Sequence, residues 1–125
     1  MIIRSKQNEY IEDISTNFVI KTRISLLKKA LSNIASNAVN YTPANGKIYV
    51  HCNERTLMID NSCIPLSETR LAGIYEPFYP GDKKNKMSNG LGLSIVKQIF
   101  GMLHIKYSFL PLENKEGMRF CVFFE

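Results

Sequence analysis

The sequence predicts an α/β (α+β) two-layer sandwich, in which a mixed and mostly antiparallel sheet carries helices on one face. Two observations predict this class. Segments with strand or helix periodicity follow the order strands, helix, strands, helix, loop, helix, strands, and 45% of the residues are hydrophobic, enough for an ordinary core. The length of 125 residues suits one domain.

The elements at the amino end are two short strands and a long helix. The strands are predicted over Tyr10–Ser15 and Asn17–Thr22, of which the second contains the apolar run Phe18-Val19-Ile20. The helix is predicted from Ile24 to Tyr41. Thr42-Pro43 ends it, because the residue before a proline avoids the helical region.

Turn signals and hydrophobic patterns divide the rest of the chain into further strands and helices. Strands are predicted over Lys47–Cys52 and Thr56–Asp60, followed by a short helix that Ser67 would cap and that runs to about Tyr75. A helix over Leu91–Leu103 and a closing hairpin of Lys106–Leu110 and Met118–Phe124 complete the chain. Between the last two helices, Pro77–Asn89 has no apolar periodicity. A loop of this length inside one domain is usually functional or disordered.

Charge, cysteine content and hydropathy exclude several classes of protein. The formal net charge is +5, but the sixteen Lys and Arg are spread along the chain, which favours a solvated surface over a nucleic-acid partner. The three cysteines are isolated, which favours a reducing compartment over a disulfide framework. No secretory signal occurs, nor a run of the roughly 18 apolar residues that a membrane helix needs, so we expect this chain not to be in the membrane.

The first feature with chemical meaning is a row of asparagines on the long helix. At ~100° per residue, one face carries the predicted core and the opposite face carries the asparagines with Lys29 beside them; the two sets are Leu27, Leu31, Ile34 and Ala38, and Asn33, Asn37 and Asn40. Asparagine is a poor helix former. The row is therefore either a polar solvent face or a set of neutral carbonyl oxygens suited to Mg²⁺ that arrives bound to phosphates.

The second feature is a pair of glycines, Gly90 and Gly92, in the segment Asn89–Ser94 where the Leu91–Leu103 helix begins. Backbone N–H groups at such a helix start can bind an anion. The segment is not a P-loop, because no Lys-Ser or Lys-Thr follows, and not a dinucleotide fingerprint, because a loop precedes it. A flexible hinge is the alternative.

The third feature is Asp60, a carboxylate at the end of a predicted strand. It could accept a hydrogen bond from an exocyclic amine such as the amino group of adenine. The alternative is a turn aspartate, since Asn61 follows.

Taken in order, three segments resemble the conserved boxes of bacterial sensor histidine kinases. Leu31–Pro43 resembles their asparagine box, Ile74–Tyr79 their phenylalanine box and Asn89–Lys97 their second glycine box. The resemblance covers nearly the whole chain. It implies a Bergerat-type ATP-binding fold and a catalytic domain that uses ATP and Mg²⁺.

The resemblance also implies roles for individual residues. Asn37 would coordinate Mg²⁺ as the catalytic and metal-binding residue, Asn33 would lie by the phosphates, Tyr41 would pack near adenine or ribose, and Asp60 would bind the adenine amino group. Phe78 would anchor a lid over Pro77–Asn89, in which Lys83 and Lys84 would be the cations and Lys86 a further candidate. The other expected ATP-binding residues are Asn40, Ile64 and, at the helix start, Asn89, Gly90, Leu91, Gly92 and Leu93.

The chain departs from the family pattern at the first glycine box. The family reads Asp-x-Gly-x-Gly-Ile, whereas the segment from Asp60 to Pro65 has no glycine and is one residue short. Asn40, Pro80 and Ser88 also replace residues common in the family. These departures concern affinity and rate rather than the fold.

The resemblance implies that the chain binds Mg-ATP and donates the γ-phosphoryl group to a histidine on a separate dimerisation domain of the same protein, from which a response regulator receives it. Residues 1–125 would be one catalytic domain of a larger kinase, cytoplasmic and belonging to a membrane-anchored sensor. Neither His51 nor His104 lies in the motif the family uses for the phosphorylated histidine. The alternatives are a regulatory pseudokinase and an anti-sigma-type serine kinase of the same superfamily.

Overall fold

The computed structural model describes residues 9–14, 19–75 and 92–124 of the chain. The elements in these ranges are β1 (Glu9–Ile14), α1 (Ile24–Tyr41), β2 (Lys47–Asn53), β3 (Thr56–Ser62), α2 (Glu68–Gly73), α3 (Gly92–Leu103), β4 (Lys106–Pro111) and β5 (Gly117–Phe123). The strands form one sheet in the order β1-β2-β3-β5-β4. β1 is parallel to β2 and every other pair is antiparallel, which confirms the predicted fold class.

Three predicted elements differ from the structure by more than one residue. Val19–Thr22, the described part of the second predicted strand, is not a strand. β3 continues two residues beyond Asp60, because Ser62 pairs with Gly117 of β5 and its hydroxyl accepts a hydrogen bond from the Lys47 N–H. α2 ends at Gly73 rather than near Tyr75. The predicted loop and lid, Pro77–Asn89, lies outside the described residues.

The sheet has two unlike faces, because side chains alternate along each strand. The face that packs against the helices, called the inner face here, carries the buried apolar side chains Ile48, Val50, Ile59, Phe109, Met118, Phe120 and Val122. The outer face carries Tyr49, His51, Asp60 and Arg119, at the alternate positions of β2, β3 and β5. Core and polar residues therefore lie on opposite sides of one layer.

The two long helices complete the core. α1 buries Leu27, Ala30, Ile34 and Ala38, and α3 buries Leu93, Val96, Ile99 and Phe100. Ala30 thus takes the fully buried position that was predicted for Leu31, which is only half-buried. α1 packs against both α3 and β3. No described helix is long and apolar enough to cross a bilayer.

Thr42 ends α1 and is fully buried. Its hydroxyl donates to the Ala38 carbonyl at 2.6 Å, and its backbone N–H reaches the carbonyls of Ala38 and Val39. Free carbonyls at the end of the helix are therefore satisfied before Pro43 turns the chain towards β2.

Candidate functional site

The asparagine row of α1 lies beside the core and not opposite it. At ~100° per residue, Asn33, Asn37 and Asn40 fall between the buried line through Ile34 and the exposed line through Ser36. All three asparagines are half-buried. The expectation that the asparagines lie opposite the core was wrong. Because α1 contacts both α3 and β3, a wider part of its surface is covered. Half-buried asparagines are better placed to bind a ligand than asparagines on a fully exposed face would be.

The amide nitrogen of Asn33 has no hydrogen-bond partner among the residues that the structure describes. This atom, Nδ2, is buried. Leaving such a donor unpaired costs about 1–3 kcal/mol, so buried amides almost always have an acceptor. Asn33 therefore has a donor available for a ligand oxygen. Tyr41, also expected in the site, is half-buried at the end of the same helix.

Asp60 points to the outer face and not towards the helices. Arg119 donates to both of its carboxylate oxygens, from Nε at 2.7 Å and from an NH2 nitrogen at 2.8 Å. His51 Nε2 lies 3.1 Å from Oδ2 of the same carboxylate. Strand alternation thus turns Asp60 to the side of the sheet away from α1 and its asparagines.

Tyr49 completes the outer-face cluster of Asp60, Arg119 and His51 by stacking on the His51 ring. The rings of Tyr49 and His51 are stacked, with centroids 4.3 Å apart and planes 9° from parallel. The Tyr49 hydroxyl donates to the Asp13 carboxylate at 3.4 Å. Hydrogen bonding to Asp60 raises the pKa of Arg119, so the guanidinium stays charged. This cluster holds β1, β2, β3 and β5 together and uses His51 structurally.

Asn61 is the polar residue that β3 turns towards the helices. It is 4% exposed, and its buried Nδ2 has no hydrogen-bond partner among the described residues. Ile59, two residues earlier, belongs to the core and shares the inner face. Sequence reasoning missed Asn61, although counting by twos from Ile59 would have found it. Asn33 and Asn61 thus each have a buried amide nitrogen that finds no partner within the described ranges.

Cys63 and Gly117 surround Asn61. Burial raises the pKa of the Cys63 thiol, and hydrogen bonding from Asn61 to the thiolate form offsets part of the rise. Gly117 lies against the backbone carbonyl of Asn61 so closely that a Cβ on residue 117 would overlap it. Ile64, which was expected in the site, is 90% exposed.

The amino end of α3 is the remaining described part of the expected site. Gly92 is its first residue, and a Cβ added there would meet none of the described atoms within 4 Å. Leu93 is buried in the core, so only its backbone is available to a ligand. The first turn of such a helix presents free N–H groups that attract anions. The other residues expected here lie outside the described ranges: Phe78, Lys83, Lys84, Asn89, Gly90 and Leu91.

Comparison with known proteins identifies the family. The sequence model of the family of histidine kinase-, DNA gyrase B- and HSP90-like ATPases matches residues 22–125 of this chain. The sensor histidine protein kinase HK06 of Streptococcus pneumoniae is 40% identical over 100 residues, 77% of this chain and 22% of that protein. The heme sensor protein HssS of Staphylococcus aureus is 38% identical over 94 residues, 72% of this chain and 20% of that protein. The chain thus spans about a fifth of the length of these relatives.

Solved structures share the fold. The nucleotide-free catalytic domain of the histidine kinase ThkA superposes with a TM-score of 0.74 at 24% identity, covering 94% of this chain and 78% of that chain. Full-length ShkA in complex with AMPPNP gives a TM-score of 0.72 at 23% identity, covering 94% of this chain and 25% of that chain. The chain belongs to the histidine kinase-, DNA gyrase B- and HSP90-like ATPase family, as an ATP-binding catalytic domain of the kind found in sensor histidine kinases.

Proposed function

We propose that this chain binds Mg-ATP and donates its γ-phosphoryl group to a histidine on a separate helical dimerisation domain of the same protein. The observation that carries the proposal is the half-buried asparagine stripe of α1, with the unpartnered Nδ2 of Asn33. A solvent-facing stripe would leave no buried donor unpaired. A nucleotide would supply the missing acceptor oxygens.

The donor set of the stripe fits a magnesium ion that arrives with its nucleotide. Mg²⁺ prefers oxygen ligands and keeps several waters, so one neutral carbonyl oxygen from the protein suffices beside the phosphates. Asn37 would provide that oxygen, and Asn33 would donate to a phosphate oxygen. The ion would neutralise charge on the phosphates as the γ-phosphoryl group leaves. The solved complex of ShkA with AMPPNP supports nucleotide binding by this fold.

The base would be read from the end of β3. Asn61 lies on the inner face with a free amide nitrogen, and its two polar atoms match the amino group and the ring nitrogen N1 of adenine. Asp60 has both carboxylate oxygens engaged by Arg119 on the outer face. We therefore assign to Asn61 the role first expected of Asp60, with Tyr41 beside the base or ribose.

The phosphates would extend towards the amino end of α3. A side chain at Gly92 would meet none of the described atoms, and the backbone N–H groups of the first helical turn can meet phosphate oxygens there. Phosphoryl transfer requires little covalent chemistry from the protein, so in-line positioning and charge neutralisation are its main contributions. The described residues supply both kinds of group.

The phosphorylated histidine would come from another domain. The chain has two histidines. His51 is held between Asp60 and Tyr49, and His104 has a positive φ just after α3. Neither is placed as a nucleophile towards the asparagine stripe. A response regulator would then take the phosphoryl group, and the whole protein would be a membrane-anchored sensor with this domain in the cytoplasm.

The test combines binding with transfer in trans. Calorimetric titration of ATP, with and without Mg²⁺, is expected to show metal-dependent binding that Asn37→Ala weakens about tenfold or more. The chain is then mixed with the helical domain of its parent protein and labelled ATP, and acid-labile label is expected on that domain only. Acid-stable label on a serine would favour a serine kinase, and binding without any transfer would favour a regulatory pseudokinase. Absence of ATP binding would reject the proposal.

A further inference from the structure

We infer that the base pocket accepts 6-oxopurine nucleotides as well as ATP, because an amide and not a carboxylate reads the base. The inference rests on the proposed function, since it concerns the base of the nucleotide that this site would bind. The residues involved are Asn61 and Cys63. The class of nucleotide is defined by the group at position 6 of the purine.

The geometry of β3 places one uncharged polar side chain at this point of the inner face. Asn61 is 4% exposed, and its Nδ2 has no hydrogen-bond partner among the described residues. The neighbouring carboxylate of Asp60 is held on the outer face by three contacts, two from Arg119 and one with His51. A turn of Asp60 to the inner face would break this ion pair. The group that meets the base is therefore neutral.

An amide can pair with both polar positions of either purine edge, whereas a carboxylate pairs with only one position of each. A carboxylate only accepts hydrogen bonds, so it pairs with the 6-amino group of adenine or with N1–H of hypoxanthine and leaves the other position, N1 or O6, facing an acceptor. The Asn61 amide has a carbonyl oxygen at one end and an amino group at the other, and half a turn of its terminal bond exchanges them. With adenine, Oδ1 accepts from the 6-amino group and Nδ2 donates to N1. With hypoxanthine, Nδ2 donates to O6 and Oδ1 accepts from N1–H.

The neighbour of the amide tolerates both orientations. The half-buried Cys63 thiol lies beside the Asn61 amide. A thiol is a weak donor through S–H and a weak acceptor through sulfur, so it can meet either end of an amide. A carboxylate or an ammonium group in place of Cys63 would hold the amide in one orientation. The pair Asn61 and Cys63 therefore lets the pocket adapt to the base.

The experiment compares ATP with inosine triphosphate, which differs at position 6 of the base. Calorimetric titrations with Mg²⁺ would use the wild-type chain, Asn61→Asp, Asn61→Leu and, as a control from the outer face, Asp60→Asn. The wild type is expected to bind both nucleotides within about threefold of each other. Asn61→Asp, which removes the donor, and Asn61→Leu, which removes both polar atoms, are each expected to weaken both nucleotides by about tenfold or more. Asp60→Asn should leave the ratio of the two affinities unchanged.

The outcomes separate this inference from the proposed function. If the wild type binds ATP but binds inosine triphosphate about thirtyfold more weakly or worse, the inference is overturned and the proposed function stands. If the wild type binds neither nucleotide, the proposed function itself fails. The wild-type ratio decides the matter even if a variant does not fold. Affinities for both nucleotides that Asp60→Asn changes and Asn61→Leu leaves unchanged would also overturn the inference, since Asp60 would then read the base.

Discussion

Asp60 and Arg119 form a two-point ion pair across the outer face of the sheet, with 2.7 Å between Nε and Oδ1 and 2.8 Å between the second nitrogen and Oδ2. The pair joins β3 to β5, at residues that are directly opposite in the ladder. The Asp60 side chain is 11% exposed and that of Arg119 is 40% exposed, so water screens only the arginine end. We therefore expect the Asp60 carboxylate to stabilise the fold.

Asp60→Ala is therefore expected to destabilise the fold and to spare nucleotide binding. The substitution removes charge-assisted hydrogen bonds, and with allowance for the exposure of Arg119 the free energy of unfolding should fall by about 1–2 kcal/mol. Urea denaturation measures the loss, and ATP titration of the still-folded variant measures affinity. Asp13→Ala, which removes a more exposed carboxylate from the same face, is the matched control and should cost less. A weakening of ATP binding by about tenfold without loss of stability would instead assign Asp60 to the base.

The position of Asp60 in the sheet explains why sequence reasoning favoured this residue over Asn61 for the base. Asp60 and Asn61 are consecutive in the sequence, and the predicted strand ended at Asp60 because Asn61 and Ser62 are typical of turns. Pairing with Met118 and Gly117 of β5 extends β3 through both residues. This pairing joins residues far apart in the chain, which local patterns do not report. Once the strand continues, alternation assigns the two side chains to opposite faces.

Local patterns performed better on the helices. The predicted bounds of α1, Ile24 and Tyr41, are confirmed, because the apolar period and the Thr42-Pro43 stop are both local signals. Ser67 caps α2 as predicted, its Oγ accepting from the Arg70 N–H at 3.2 Å. The side of α1 on which the asparagines lie depends on how α3 and β3 cover the helix. That depends on tertiary packing, so the single-helix projection placed them too far from the core.

Asn33→Leu tests whether the asparagine stripe is kept for binding at a cost to the fold. The Asn33 Nδ2 is buried without a described partner, so replacing the amide by an apolar group of similar size removes an unsatisfied donor. The free energy of unfolding without nucleotide is expected to rise by up to about 1 kcal/mol. The affinity for Mg-ATP should fall by about tenfold or more. Thermal unfolding with and without nucleotide reports both effects.

Ser32→Ala is the matched control for Asn33→Leu. Ser32 precedes Asn33 in α1 and is exposed, so its loss should change the free energy of unfolding by less than about 0.5 kcal/mol and leave affinity alone. Should Asn33→Leu lower the stability by more than about 1 kcal/mol, the amide has a structural partner and the stripe is not reserved for a ligand.

Gly117→Ala tests the contact between β5 and the backbone of Asn61. A Cβ at residue 117 would overlap the carbonyl of Asn61, which is backbone and cannot rotate away. The strands must separate locally, and overpacking of this kind costs about 1–3 kcal/mol. Because the displaced carbonyl belongs to the proposed base-reading residue, ATP affinity should fall as well. Urea denaturation and titration on the same preparation measure the two effects.

Gly101→Ala provides the opposite case within the same chain. Gly101 lies in α3, is exposed, and an added Cβ would meet none of the described atoms within 4 Å. Alanine is the better helix former, so this variant should gain about 0.5–1 kcal/mol without a change in affinity. Equal effects of the two substitutions would show that the contact with Asn61 is not what requires glycine at residue 117.

Cys63 offers a chemical probe of the same region, and its pH dependence follows from its surroundings. Burial raises the pKa of the Cys63 thiol, so at pH about 8 its thiolate fraction is below that of a free cysteine, whose pKa is about 8.5. Alkylation by iodoacetamide in the folded chain should therefore be slower than in the urea-unfolded chain, and its rate should rise at a higher pH. Since the folded pKa is the higher one, the thiol contributes stability that is complete below the unfolded pKa and is lost as pH rises through the folded pKa. Peptide mapping after timed alkylation follows Cys63 apart from Cys52 and Cys121, which serve as internal controls.

If Asn61 reads the base, saturating Mg-ATP should slow alkylation of Cys63 further and leave Cys121, on the outer face of β5, unchanged. Equal protection of Cys63 and Cys121 would mean that nucleotide stabilises the whole fold without covering the end of β3, and the assignment of the base to Asn61 would then be wrong.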